Sequence, residues 1–255
     1  MKEEAMANIL ISSNHILMPS DRNGYMQLYL YNMNGQLLRK VTDGQYDVTD
    51  VYGYDEQTGA TYYQAAGKNP MNREVYVTYK NGKTECLTSR DGWNIAVFSA
   101  DYKYFVNQWS DRNTPYEYGI FNNSGKETVS LITNSELKKT LAEYDLPSKE
   151  FFSFKTSEGV QLNGVMIKPA NFDASKKYPV IMWQYSGPGS QQVVNSWNIG
   201  SMGQGALLDQ YLVQQGFILV CVDGRGTGAR GADFEKCTYL KIGDLESKDQ
   251  VETAI

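Results

Sequence analysis

The sequence predicts a mixed fold: short antiparallel strands through residues 1–133, a linker helix over 134–147, and an α/β layer over 148–255. Three observations predict it. Alternating apolar strands separated by Asn/Gly turns recur through the first half. The turn glycines Gly35, Gly82 and Gly125 stand 47 and 43 residues apart, and a period of about 40–50 residues with four strands in each is the pattern of propeller blades. Two apolar runs, 178–184 and 217–222, are then separated by a helical stretch, as parallel strands buried on both faces would be. An ordinary β-sandwich also carries many short strands; the recurring spacing is what favours blades.

In chain order, residues 15–18 alternate weakly, and Ser20-Asp21-Arg22-Asn23-Gly24 is a turn whose Asn-Gly suits positive φ. Residues 27–31 alternate as a strand, and Asn32-Met33-Asn34-Gly35 turns the chain back onto 36–41. The block recurs as 74–79, the turn Lys80-Asn81-Gly82-Lys83, then 85–88. A third copy runs 118–121, Asn122-Asn123-Ser124-Gly125-Lys126, then 128–132. Residues 47–54, 61–65, 95–99 and 104–108 supply inner strands. That makes about two and a half blades, whereas a propeller closes with about four to eight. Either further blades precede Met1, or the chain forms an open arc with an exposed edge.

Residues 134–144 change period. Asn134 and Ser135 suit a helix start, Leu137, Leu141 and Tyr144 recur at helical spacing, and Leu146-Pro147 ends the helix. Residues 149–155 and 161–168 pair around Ser157-Glu158-Gly159, with Leu162, Val165 and Ile167 packing on the sheet that follows. After the strand ending at Tyr185 come a long loop, a helix from about 205 to 215 closed by Gly216, the strand 217–222, and a helix from 246 onward.

Composition narrows the function. A net charge of −5 makes no case for nucleic acid. No apolar run approaches the roughly 20 residues of a membrane helix, and Met1-Lys2-Glu3-Glu4 does not open a signal peptide. Cys86, Cys221 and Cys237 fit neither zinc spacing nor a disulfide framework and are expected to be buried thiols. The 19 tyrosines favour β structure with half-buried rings. No metal site and no cofactor is expected.

Loops at the C-terminal ends of parallel strands are where α/β sheets place their chemistry. Here they are Tyr185-Ser186-Gly187-Pro188-Gly189-Ser190-Gln191 and Asp223-Gly224-Arg225-Gly226-Thr227-Gly228-Ala229-Arg230-Gly231. Together with Lys241-Ile242-Gly243-Asp244-Leu245-Glu246-Ser247-Lys248-Asp249-Gln250-Val251-Glu252, these motifs resemble the prolyl oligopeptidase family of serine peptidases, closest to its dipeptidyl peptidase IV branch. The likeness extends over essentially the whole chain. It implies the C-terminal blades of a β-propeller followed by the N-terminal part of an α/β-hydrolase domain. It also implies a serine exopeptidase that releases N-terminal Xaa-Pro or Xaa-Ala dipeptides through an acyl-enzyme, from peptides with penultimate Pro or Ala. A homodimer and a periplasmic or extracellular location are compatible with that likeness.

The resemblance gives Tyr185 a catalytic role: its hydroxyl, a neutral donor at pH 7, would hold the tetrahedral oxyanion. Ser186 stands where relatives have Gly or Ala. Arg225 is expected to pair with a carboxylate and support the loop, or else to contact substrate.

The remaining parts of acyl transfer, a nucleophile and its base, are not found. No Gly-x-Ser-x-Gly follows residue 148; Gly200-Ser201-Met202-Gly203 has the wrong spacing and no preceding apolar strand. His15 is the single histidine, and it is read as a surface or half-buried polar residue. The chain by itself is therefore expected to be inactive. The alternative is a non-catalytic β-repeat binding module with an α/β appendage. A nucleotide site at Gly226-Thr227-Gly228-Ala229-Arg230-Gly231 would need a helix opening at the glycines, and residues 232–237 show no apolar stripe.

Overall fold

The computed structural model describes residues 9–197, 200 and 206–255. The signal-peptide reading of the first four residues, Gly200-Ser201-Met202-Gly203 beyond its first glycine, and the start of the helix expected from 205 lie outside the described residues. The chain forms two compact units.

The first unit holds residues up to Trp109, Tyr116–Thr133 and Ala229–Asp233. It contains three four-stranded antiparallel sheets, each a meander in chain order. The first is β1 (Leu10–Ile11), β2 (His15–Ser20), β3 (Gln27–Asn32) and β4 (Leu37–Lys40). The second is β5 (Val48–Tyr54), β6 (Thr61–Ala65), β7 (Glu74–Thr78) and β8 (Thr84–Cys86). The third is β9 (Trp93–Phe98), β10 (Tyr104–Ser110), β11 (Glu117–Asn122) and β12 (Glu127–Ile132). The architecture is propeller-like, and it has three complete sheets where the pattern gave about two and a half. The shortfall was β1, whose two residues are too short to alternate.

Local chemistry explains the repeat. Asn32 Oδ1 accepts the N–H groups of Asn34 and Gln36 at 3.0 and 2.9 Å, and Gly35 takes φ 78°. Asn122 Oδ1 does the same for Ser124 and Lys126 at 3.1 and 3.0 Å, with Gly125 at φ 79°. An Asx turn followed by a left-handed glycine thus closes the outer hairpin in both copies. Leu17, Leu28, Leu30, Tyr63 and Ala65 form one core between the first two sheets, and Tyr62, Val75, Val77, Ala96 and Phe105 form another between the second and third.

The second unit holds Ser110–Pro115, Asn134–Gly228 and Phe234–Ile255. Its sheet contains β13 (Lys149–Lys155), β14 (Gln161–Ile167), β15 (Val180–Trp183) and β16 (Ile218–Asp223), ordered β13-β14-β16-β15. β13, β14 and β16 pair antiparallel, and β15 runs parallel to β16 with Met182 opposite Val220. β16 is buried on both faces: Val220 and Val222 pack on Leu162, while Leu219 packs on Ile167 and Val213. β15 corrects the expectation of two fully buried strands. It is the edge of the described sheet, with Val180 53% exposed. An apolar run does not distinguish an inner from an outer strand. Leu162 and Ile167 pack as expected, whereas Val165 is only half-buried.

The helices are α1 (Ser135–Leu141), α2 (Ala206–Gln214), α3 (Ala232–Lys236) and α4 (Asp244–Thr253). α1 is shorter than its pattern. Asn134 sits at φ 50° and makes no side-chain cap, and Leu137 and Tyr144 are 42% and 63% exposed. The leucine stripe therefore has no core to cover. No described helix is long and apolar enough to cross a membrane.

Candidate active site

β15 and β16 end side by side, so the loops that follow them meet. Tyr185 stands two residues past β15 and is 69% exposed. Among the described residues none hydrogen-bonds its hydroxyl. Ser186 turns the chain at φ 52°, with its side chain buried and its Oγ without a partner among the described residues. The left-handed conformation is one that Gly adopts at no steric cost. Gly187 lies under the tyrosine: a Cβ there would stand 2.6 Å from Tyr185 Cε1.

The turn closes at Ser190. Its N–H and Oγ both donate to the Gly187 carbonyl, at 3.0 and 2.6 Å. The second loop then zips onto the first. Gly189 N–H donates to Gly226 O at 3.0 Å, and Gly228 N–H donates to Ser190 O at 2.9 Å. A Cβ on Gly228 would come within 2.7 Å of the Gly189 oxygen, so this approach requires glycine.

Asp223, the last residue of β16, is 6% exposed. Its carboxylate accepts Gln192 N–H at 3.0 and 3.1 Å and Val193 N–H at 2.8 Å. Two backbone donors entering a buried region need acceptors, and a carboxylate satisfies both.

Arg225 is 9% exposed and fully engaged. Its backbone N–H donates to Asp249 Oδ2 at 2.7 Å, its Nη2 to Asp249 Oδ1 at 2.7 Å, and its Nη1 to Glu158 Oε2 at 2.5 Å. The hydrogen bonds that it donates to Asp249, which is 0% exposed, push the guanidinium pKa up further. Lys248 Nζ reaches Glu158 Oε1 at 2.5 Å, and Lys248 and then Arg225 hold the Glu158 carboxyl below its ordinary range. The carboxylate partner expected for Arg225 is therefore present, twice over.

The other candidates sort themselves. His15 belongs to the first unit. Its Nδ1 meets Glu56 Oε2 at 2.7 Å, and its ring stands edge-on to Tyr54. Of the cysteines only Cys221 is buried; Cys86 and Cys237 are exposed free thiols, against the expectation for all three. A helix does open after Gly231, contrary to the pattern reading, but α3 is five residues long. Gly231 N–H donates to Asp47 Oδ2 at 2.8 Å and Ala232 N–H to Gly24 O at 2.7 Å, so protein acceptors occupy the donors a pyrophosphate would use.

Sequence reasoning gave no role to Asp223, Asp249 or Glu158. An aspartate ending an apolar strand was a readable signal. Asp249 lies within a motif that carries the family resemblance but was given no role of its own, and Glu158 lies in a hairpin turn that carried no signal.

Comparison with known proteins finds relatives for both units. Residues 2–116 match the model of the dipeptidyl peptidase IV N-terminal region, and residues 207–254 match that of the prolyl oligopeptidase family. The chain is 30% identical over 95% of its length to a probable dipeptidyl peptidase 4 of Emericella nidulans, covering 31% of that protein. It is 32% identical over 92% of its length to a dipeptidyl peptidase 4 of Trichophyton equinum, covering 30% of it. The crystal structure of Porphyromonas gingivalis dipeptidyl peptidase 4 superposes with a TM-score of 0.92 at 37% identity, over 98% of this chain and 35% of that one. The chain spans about a third of the length of these curated relatives. With both of its units matched and the two loop motifs meeting as described, the chain belongs to the prolyl oligopeptidase family, in its dipeptidyl peptidase IV branch.

Proposed function

We propose that this sequence is a section of a serine exopeptidase that releases N-terminal Xaa-Pro or Xaa-Ala dipeptides. In this reading 1–133 are the last blades of a gating propeller, 134–147 link, and 148–255 begin an α/β-hydrolase domain. The nucleophile, its base and its acid come from sequence beyond this chain, and the 255 residues alone hydrolyse nothing.

Tyr185 supplies one half of the oxyanion hole. The observation that carries this is its position: an exposed phenol, its hydroxyl unbonded among the described residues, at the C-terminal end of a parallel strand, on a loop braced by a second loop. A donor fixed before reaction begins needs no reorganisation when charge develops on the substrate oxygen. The second donor would be the backbone N–H that follows the nucleophile. Arg225 supports the loop, since the guanidinium is already shared between Asp249 and Glu158; a substrate contact would have to break those bonds.

The test is turnover of a Gly-Pro chromogenic substrate by the intact enzyme, and its abolition by a serine-directed phosphonate. The gene is expected to encode Gly-x-Ser-x-Gly within about 50 residues of Ile255. A stop codon with no serine elbow would reject the peptidase.

One observation favours the binding-module reading instead. Val106, Ile120 and Val129 align across β10, β11 and β12, and Val106 and Val129 are 37% and 48% exposed beside Val97 at 70%. An apolar sheet face of this kind suits a partner. Absence of the serine elbow is the result that would favour this reading.

A further inference from the structure

We propose that Asp223 is a positioning residue for the oxyanion site and acts through Tyr185; this rests on the peptidase reading above. Asp223 lies on β16, and Tyr185 follows β15, so no sequence-local contact joins them. The connection runs through the loops. The Asp223 carboxylate fixes the amides of Gln192 and Val193. Those residues follow Gly189 and Ser190, which are zipped to Gly226 and Gly228. Ser190 in turn clamps the Gly187 carbonyl, and the Tyr185 ring rests on the Gly187 α-carbon.

The links are short and buried or partly buried, while the tyrosine at the end of the series is open to solvent. An exposed phenol has little packing of its own to hold it. Its direction is therefore set by the loop beneath it, and the loop is set by the carboxylate. Replacing Asp223 with Asn retains the shape. It leaves a single, uncharged acceptor oxygen for both amides and sets an NH₂ group against the Gln192 N–H that Oδ1 had accepted, so the loop amides are held less firmly. A displacement of about 1 Å at a catalytic group is enough to cost on the order of 10²-fold in rate.

The experiment is a double-mutant cycle in the intact enzyme with a Gly-Pro chromogenic substrate. Asp223→Asn is expected to lower kcat by about 10–100-fold with KM within about twofold. In a Tyr185→Phe background the same change is expected to cost less than about twofold, because the group it positions is gone. Gly228→Ala, which forces the two loops apart at Gly189, is expected to repeat the pattern. Thermal unfolding is recorded for every variant. Equal losses of kcat in both backgrounds would overturn the proposal, and so would an unchanged kcat, or loss of folding by both Asp223→Asn and Gly228→Ala. An inactive wild type, or a Tyr185→Phe variant as active as wild type, would reject the peptidase reading itself rather than this link.

Discussion

The ring of Tyr185 lies across the α-carbon of Gly187, so close that a Cβ there would sit 2.6 Å from Cε1. The residue type at 187 therefore governs where the phenol points. Gly187→Ala is expected to swing the ring aside and lower kcat by about 10-fold or more in the intact enzyme, with little change in unfolding temperature because the site is on the surface. Steady-state kinetics alongside a melting curve would check this; wild-type kcat in the alanine variant refutes it.

Tyr185→Phe removes the hydroxyl and leaves the ring. Loss of one oxyanion donor costs on the order of 10²–10³ in kcat. KM should move little, since the bond forms chiefly in the transition state. An unchanged kcat would remove Tyr185 from the chemistry.

Ser186 holds a left-handed backbone at φ 52° and buries a hydroxyl that finds no partner among the described residues. Both features cost free energy. Ser186→Gly is expected to stabilise the fold by about 1 kcal/mol, read from chemical denaturation. A destabilised variant would mean that the hydroxyl has a partner in solution.

Arg225 and Asp249 form the inner pair of a network whose outer members, Glu158 and Lys248, are 44% and 43% exposed at the side chain. Removing one partner of a buried pair strands the other. Arg225→Met should therefore cost about 3–5 kcal/mol, leaving the enclosed Asp249 carboxyl without its partner. Glu158→Gln should cost far less, since solvent already screens that carboxylate. Equal effects from the two substitutions would show that the network is not layered in this way.

Glu56 sets a pH dependence. Burial pushes its pKa up, but hydrogen bonds from Ser12, the Asn14 N–H and His15 outweigh it and hold the carboxyl below its ordinary 4.5. A depressed carboxylate pKa adds stability that is complete above the unfolded value and lost as pH falls through the folded one. The contribution of Glu56 should thus be present above pH 4.5 and fade below it. Melting temperatures of wild type and Glu56→Gln should converge as pH drops from 5 to 3. Parallel curves over that interval would contradict the assignment.

Much was legible because it is local. Asx-Gly turns, period-two alternation and the end of an apolar run are written in neighbouring residues, and they located the repeated hairpins, β13 to β16, and Tyr185 at a strand end. α1 was legible as a helix but stops at Leu141, short of the Tyr144 that the spacing included, because a stripe does not mark the last turn. β1 was missed because two residues show no period.

The sequence by itself thus determined where strands begin and end, that two of them run parallel, and which phenol closes the first of the pair. Only the tertiary structure decided which strand is the edge, that Asp223 holds the opposite loop, and that Arg225 is shared by Glu158, 67 residues away, and Asp249, 24 away. The physical reason is range. Turn and strand preferences act over a few bonds, whereas a buried carboxylate takes whichever donors folding brings to it, and those donors are set by sheet order and not by spacing along the chain.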